Sequence, residues 1–265
     1  MSTTTEARLS ELDRVTDGLA ADASLAGELF ALVDVIDAQP ALRRVLTDPS
    51  IAENGLSELV ASVFGPRVSP RACTVLIEAA SRRWGGGSGL AAALERQGVR
   101  ALLSAAQAAG ALDRVEEELF GFGRVVDGNR PLRAALGDRN SSLEGRQQLV
   151  AELLADKAQP VTVALARRAV AARLRTFDLT LAEYLQLAAR LRARTIGKVV
   201  VAQPLSAEQE RRLQTALSAQ LGRDIALQIT LDPEVLGGVR VTVGDEVIEG
   251  TVATRLAAAE RQISQ

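Results

Sequence analysis

Histidine is absent from this 265-residue chain, and cysteine, tryptophan and tyrosine occur once each. The first absence removes the side chain that most often serves as general base near neutral pH or as metal ligand. Cys73, alone, can close no intramolecular disulfide and has no second thiol for a zinc site, which fits a reducing compartment. Between Ala72 and Thr74 on a helical stretch, it reads as a structural residue, not a nucleophile. Aromatic content is only 3%, so cores rich in Ala and Leu must pack helix on helix. Lysine stands only at 157 and 198, which leaves positive charge to arginine, a bias of composition more than of phosphate recognition. The net charge of −2 argues for neither nucleic acid nor membrane.

Motifs for phosphate chemistry are missing too. Gly197–Lys198 lacks the upstream glycine of a phosphate-binding loop, and the Gly85–Gly89 run lacks the spacing of a dinucleotide fingerprint and reads as a linker. Glu116, Glu117 and Glu118 are consecutive on a helix and point in different directions, so they form no carboxylate pair. The uncharged run Ala101–Leu112 falls short of the roughly 18 apolar residues that span a bilayer. Met1–Thr5 leads into Glu6 and Arg8 with no apolar signal core, so a soluble chain without a leader is expected. No catalytic residue, cofactor or metal is expected.

What is present is a procession of helix-period segments: Thr3–Ala20, Leu25–Ala38, Pro40–Leu46, Ile51–Phe64 and Pro70–Trp84. Ser50 with Glu53 has the pattern of a capping box, and Ser69–Pro70 supplies a cap with proline at the first helical position. A shift of 90 residues then repeats the pattern. Glu28–Leu29–Phe30 lands on Glu118–Leu119–Phe120, Leu42–Arg43 on Leu132–Arg133, Leu59–Val60–Ala61 on Leu149–Val150–Ala151 and Pro70 on Pro160. Two periods are too few for a solenoid, so duplication of one bundle is the better account. The box recurs one residue late as Ser141 and Glu144, and the second copy spans helices from Leu94–Ala109 to Leu179–Arg194, the last capped by Thr180 and Glu183. The first copy's last helix must then fall on Leu90–Gly98, running into the second copy's first helix or replaced by it.

Past Arg194 the period changes. Ile196–Gln203, with Val199–Val200–Val201, reads as a buried strand, and Ser206 with Gln209 caps a helix to about Leu221. Ile225, Leu227, Ile229 and Leu231 alternate as a second strand. Val239, Val241 and Val243 alternate with Arg240 and Thr242, Gly244–Asp245 interrupts, and Val247–Ile248 resume, which reads as a hairpin. A last amphipathic helix opens at Thr251. The fold expected is mainly α: two tandem helical bundles (1–89 and 90–195) followed by a small α+β C-terminal domain (196–265).

The stretch from Asp232 to Leu256 strongly resembles the C-terminal signature of the delta subunit of F-type ATP synthases, the family called OSCP in mitochondria. Asp232, Leu236, Gly237, Gly238, Gly244, Asp245, Gly250, Val252, Arg255 and Leu256 fit it, and Glu249 and Thr251 are close replacements for Asp and Ser. Val99–Arg100–Ala101–Leu102 is similar to the family's N-terminal opening without its aromatic. The extra bundle looks like the actinobacterial branch. The resemblance implies a non-catalytic stator subunit on the catalytic head, at the cytoplasmic face of the cell membrane. Its bundle would receive the N-terminal helices of the alpha subunits, its C-terminal domain would grip the b stalk, and the whole would resist torque.

On the same ground a groove for an alpha helix is expected between the first and fifth helices of the second bundle. Leu103, Ala106, Val163, Arg167 and Val170 are its candidate lining, and Gly237, Gly238, Gly244, Asp245, Gly250, Arg255 and Leu256 are the structural signature. Arg167, Arg168, Arg173, Arg175, Arg190, Arg192, Arg194 and Lys198 gather in one stretch that reads as a solvated face, a protein-docking face or a polyanion site. No aromatics interleave with it for base stacking. Trp84 and Tyr184 stand at helical positions suited to core contacts. A stand-alone adaptor that binds some other amphipathic helix is the alternative reading, and a nucleic-acid-binding helical protein is a third.

Overall fold

The computed structural model describes residues 3–19, 22–82, 84, 87–172, 176–221, 225–232, 239–243 and 246–249. In chain order the helices are α1 (Thr3–Asp17), α2 (Ala23–Ala38), α3 (Pro40–Leu46), α4 (Glu53–Val63), α5 (Pro70–Ala80), α6 (Gly87–Ala108), α7 (Leu112–Gly128), α8 (Arg130–Gly137), α9 (Leu143–Leu154), α10 (Pro160–Ala171) and α11 (Phe177–Thr195). Strand β1 (Ile196–Val201), α12 (Ala207–Leu221), β2 (Ala226–Leu231), β3 (Val239–Val243) and β4 (Glu246–Glu249) follow. Residues 1–188 form one compact unit and 189–265 a second.

The 90-residue register holds element by element. Helices α2 to α5 fall on α7 to α10, and the side chains that fill the two interiors correspond. Leu25, Leu29, Leu32 and Ile36 are buried on α2, and Val115, Leu119, Phe122 and Val126 take the same places on α7. Their spacing of three and four residues is the stripe of a core-facing helix. A polar contact repeats as well. Glu28 accepts from the Ser69 backbone N–H at 3.1 Å and the Ser69 hydroxyl at 2.5 Å, while Glu118 accepts from the Gln159 N–H and Thr162 Oγ1, both at 2.7 Å. In both copies a carboxylate on the second helix satisfies a free N–H where the fifth helix begins. Burial opposes the charge of Glu118, but these donors and Arg114 outweigh it and hold its pKa below the ordinary value.

Where the copies meet, one helix serves both. Helix α6 is sixth in the first bundle and first in the second, and the boundary expected after residue 89 falls inside it. Leu90, Leu94, Val99, Ala101 and Leu103 are fully buried, as are the polar Gln97 and Arg100, so α6 is enclosed on every side along most of its length. Gly87–Gly89, part of the run expected as a linker, open α6 instead. Gly89 has a packing reason: a Cβ there would lie 2.5 Å from Trp84 Cβ and from the Trp84 carbonyl oxygen. Trp84 lies beyond the end of α5 and donates its indole N–H to the Ala79 carbonyl at 2.7 Å.

Two expected caps form differently. Ser50 turns its N–H and hydroxyl to Asp48, at 2.8 and 2.6 Å, and α4 starts at Glu53 with Ala52 as its N-cap. In the second copy Ser141 turns to Asp138 and the neighbouring Ser142 caps α9 by accepting from the Gly145 N–H at 3.0 Å. An aspartate two or three residues upstream competes for the serine and wins. Thr180 donates back to the Thr176 carbonyl inside α11. The caps at Ser69 and Ser206 form as expected, the second as a reciprocal box with Gln209.

In the second unit the sheet order is β2-β1-β3-β4. Strand β1 lies parallel to β2, with Val199 opposite Ile229, and antiparallel to β3, with Val199 opposite Val241. Strands β3 and β4 form the hairpin. Alternation sends Val199, Val201, Val241 and Val243 to one face, where they pack with Ile225 and with Leu213, Leu217 and Leu221 of α12. Lys198, Gln228 and Arg240 are exposed from the sheet. The final helix and most of the signature, including Gly237, Gly238, Gly244, Asp245, Gly250, Arg255 and Leu256, lie outside the described residues.

Helix α2 passes over α6 at Gly98, where a Cβ would stand 2.5 Å from Phe30 Cε1. Gly98→Ala should therefore cost about 1–3 kcal/mol in chemical denaturation by overpacking. Adding Phe30→Leu should recover part of that loss. Unchanged stability in Gly98→Ala would mean that α2 and α6 do not pass so closely.

Candidate partner-docking surfaces

The polar interior of the helical unit sits on both sides of α6. On one side Asp13 of α1, almost wholly buried, meets Arg96 Nη2 at 2.7 Å, Gln97 Nε2 at 2.9 Å and Arg100 Nε at 3.3 Å. Arg100 also reaches Asp17 at 2.5 Å. Burial opposes the charge of Asp13, but Arg100, Arg96 and Gln97 outweigh it and hold the carboxyl below its ordinary pKa. On the other side Arg168 of α10 donates to Glu95 at 2.6–3.0 Å and to Asp34 of α2 at 2.9 and 3.1 Å. Its guanidinium carbon lies 4.6 Å above the centre of the Phe30 ring, a cation–π contact. Tyr184 of α11, also buried, donates its hydroxyl to Glu95 at 2.9 Å. Burial and the Glu95 carboxylate push this phenol well above its ordinary pKa, so it stays a donor. Burial likewise works against the Arg168 charge, and Glu95 and Asp34 more than restore it. Three helices, α2, α6 and α10, thus meet at one guanidinium, and α11 joins them through Glu95.

This knot changes the reading of the basic stretch. Arg168 is neutralised inside the unit, so the stretch is not a continuous cationic face, whereas the neighbouring Arg167 is exposed. Arg190 and Arg192 are exposed on α11; Arg173 and Arg175 lie outside the described residues. The candidate groove residues divide as well. Leu103, Ala106 and Val170 are buried, Val163 is half-buried and Arg167 is open to solvent. The first three belong to the interior, and Val163 and Arg167 reach towards solvent. The sequence missed Arg168 as the residue at the seam between α6 and α10, because its partners lie 73 and 134 positions away.

Nothing in this arrangement is set up for bond-making. The thiol of Cys73, half-buried, has its pKa raised by burial and by the nearby Glu28 charge, the opposite of an activated nucleophile. Among the described residues no helix is long and apolar enough to cross a membrane. The accessible features are apolar side chains on helix faces: Val35, Phe120, Val125, Leu153 and Leu179. The chain is helical in its first unit and α+β in its second.

A family model described as ATP synthase delta (OSCP) subunit matches residues 95–263, from the middle of α6 to near the C-terminus. Three proteins called ATP synthase subunit delta are similar over nearly the whole chain. That of Kineococcus radiotolerans is 42% identical over 92% of this chain and 89% of its own length. The Streptomyces avermitilis protein is 42% identical over 98% and 96%, and that of Parafrankia sp. 43% over 91% and 87%. Matches of that extent take in the first copy, which the family model leaves out. The chain belongs to the ATP synthase delta (OSCP) subunit family, and actinobacterial proteins are among its relatives at about 42% identity over nearly the full length. It is a non-catalytic subunit in the peripheral stalk of the F-type ATP synthase.

Two outcomes test the polar interior. Arg168→Met should destabilise the protein by about 3–5 kcal/mol, since it strands Glu95 among buried groups, and adding Glu95→Gln should return part of the loss. Equal, additive losses in denaturant titration would deny the coupling. For Asp13, a folded-state pKa depressed below 3.8 means that its stabilisation is present in full above about pH 5. It fades as pH falls past the unfolded value and then through the folded one. The stability of Asp13→Asn should therefore fall less steeply below pH 4 than that of the parent, measured by thermal melts across pH 2.5–6.

Proposed function

We propose that this subunit ties the catalytic head to the b stalk and holds the head against rotary torque. In this reading the helical unit receives N-terminal helices of the alpha subunits, and the α+β unit grips the end of b. In this reading the chain sits peripherally, at the cytoplasmic face of the cell membrane. The observation that carries the proposal is the pairing of family membership with two separately cored units that expose helix faces and a one-sided sheet. A static link needs extended helix-in-groove contacts and no reacting groups.

For the alpha contact, we place one site along α6 and α10 of the second bundle. There Leu103, Ala106 and Val170 would support the surface from beneath, and Val163 and Arg167 would meet the incoming helix. The signature around Gly237, Gly238, Gly244, Asp245, Gly250, Arg255 and Leu256 belongs in this reading to the stalk-binding unit.

Tagged protein purified from native membranes in mild detergent should bring down both alpha and b. The doubly substituted Val163→Glu, Arg167→Glu protein should capture several-fold less alpha and the same amount of b. Equal loss of both partners, or of neither, would remove these residues from the alpha contact. A tagged chain that captures no subunit of the synthase would end the proposal.

A further inference from the structure

We infer that Asn54 is a site of spontaneous covalent modification, at which the chain is converted to aspartate and isoaspartate. The reaction needs no partner protein and no reagent but water.

The chain has three asparagines, at 54, 129 and 140, and only Asn54 precedes a glycine. An asparagine side chain is open to attack at Cγ by the backbone nitrogen of the next residue. A following side chain obstructs that approach, and glycine has none. Attack by the Gly55 nitrogen forms a bond to Cγ and breaks the bond from Cγ to Nδ2. The amide nitrogen leaves as ammonia, carrying the proton lost from the Gly55 N–H, and a cyclic succinimide remains. Water then opens the ring. Cleavage at Cγ gives aspartate; cleavage at the backbone carbonyl gives isoaspartate, whose main chain runs through the former side chain.

The duplicated fold shows what exposes this site. Asn54 and Gly55 are the second and third residues of α4, both exposed, and fall in register with Glu144 and Gly145 of α9. An α-helix leaves the N–H groups of its first turn without partners inside the helix. On α9 the Ser142 hydroxyl accepts from the Gly145 N–H at 3.0 Å and anchors the turn. On α4 the N-cap is Ala52, which offers no side-chain acceptor, because Ser50 is engaged by Asp48. The first turn of α4 therefore opens more easily and brings the Gly55 nitrogen to Cγ. There is room for the change: a Cβ at Gly55 would meet only Ile51 Cγ2, at 3.5 Å.

The two products differ in effect. Aspartate in the first turn of a helix is favoured by the macrodipole. Isoaspartate adds a methylene to the main chain two residues before Leu56, and Leu56 and Val60 are buried in the first copy. Helix α4 cannot keep its entry and both of those seats, so the first copy loosens as the protein ages. The second copy, with Glu144 in that place, does not.

Full-length protein held at mildly alkaline pH, with peptide mapping by mass spectrometry at intervals, tests this. Isoaspartate should accumulate at residue 54 several-fold faster than at residue 140. Gly55→Ala, which the structure accommodates, should slow the reaction several-fold. Glu144→Asn places the same dipeptide on the capped turn, where it should react several-fold more slowly than Asn54 in folded protein and equally fast in urea. Asn54 that stays intact in folded protein while reacting in urea would overturn the proposal, as would equal rates at 54 and 144 in folded protein. Aged parent protein should melt at lower temperature than fresh, and aged Asn54→Gln should melt as it did when fresh. An aged parent rich in isoaspartate that melts like the fresh protein would overturn the loosening of the first copy.

Discussion

A single helix that must be the end of one bundle and the beginning of another leaves little freedom elsewhere. Helix α6, 22 residues and so about 33 Å long, has no solvent face over most of its length. An ordinary surface helix can carry polar side chains outward; α6 cannot, yet it carries Glu95, Arg96, Gln97 and Arg100. Each must be met by a partner on a neighbouring helix, because an unpaired charge in that position would cost several kcal/mol. The positions of Asp13, Asp34, Arg168 and Tyr184 follow from this requirement. Buried ion pairs of this kind add little net stability compared with apolar packing of the same volume. They do fix which helix lies where, since any other register strands a charge. In a duplicated bundle this matters, because α2 and α7 have nearly the same apolar stripe and would otherwise compete for the same neighbours.

Duplication also explains why two copies of one sequence pattern end with different surfaces. Both copies keep the Leu-rich interior and the carboxylate that caps the fifth helix from the side. They diverge at the seam. Phe30 lies against Gly98 of α6, whereas Phe120, at the same place in the second copy, is 58% exposed.

Much of the fold could be read from the chain. Helix boundaries followed from Pro40, Ser69–Pro70 and the 90-residue register, and the strands from alternating valines, because these signals act within a few residues. The errors were of three kinds, each with a cause. Ser50 and Ser141 looked like caps, but Asp48 and Asp138 take their hydroxyls first. The Gly85–Gly89 run looked like a linker, although Gly89 is small to clear Trp84 and helps open α6. Leu103, Ala106 and Val170 are buried, which their apolar character signals in the sequence, whereas their packing partners are not signalled there. The same holds for Arg168, whose chain neighbours suggest a solvated basic face and whose partners are remote in sequence. Family membership was legible from the Asp232–Leu256 pattern alone, since a fixed order of glycines, acids and apolar pairs survives where side-chain contacts cannot be inferred.

For a connector under load, a shared helix differs mechanically from a linker. Two bundles joined by a flexible strap could turn against each other until the strap tightened. Here the first copy is held through α6 itself, by apolar contacts along its length, by Asp13 on one flank and by the Arg168 cluster on the other. Rotation of one bundle on the other would have to break those contacts together, so resistance is cooperative and begins at small displacements. The extra copy therefore extends the rigid helical part of the subunit without adding a joint. That is a physical reason for duplication by helix sharing in a stalk protein, where the alternative of a tethered second bundle would supply the same surfaces and transmit less force.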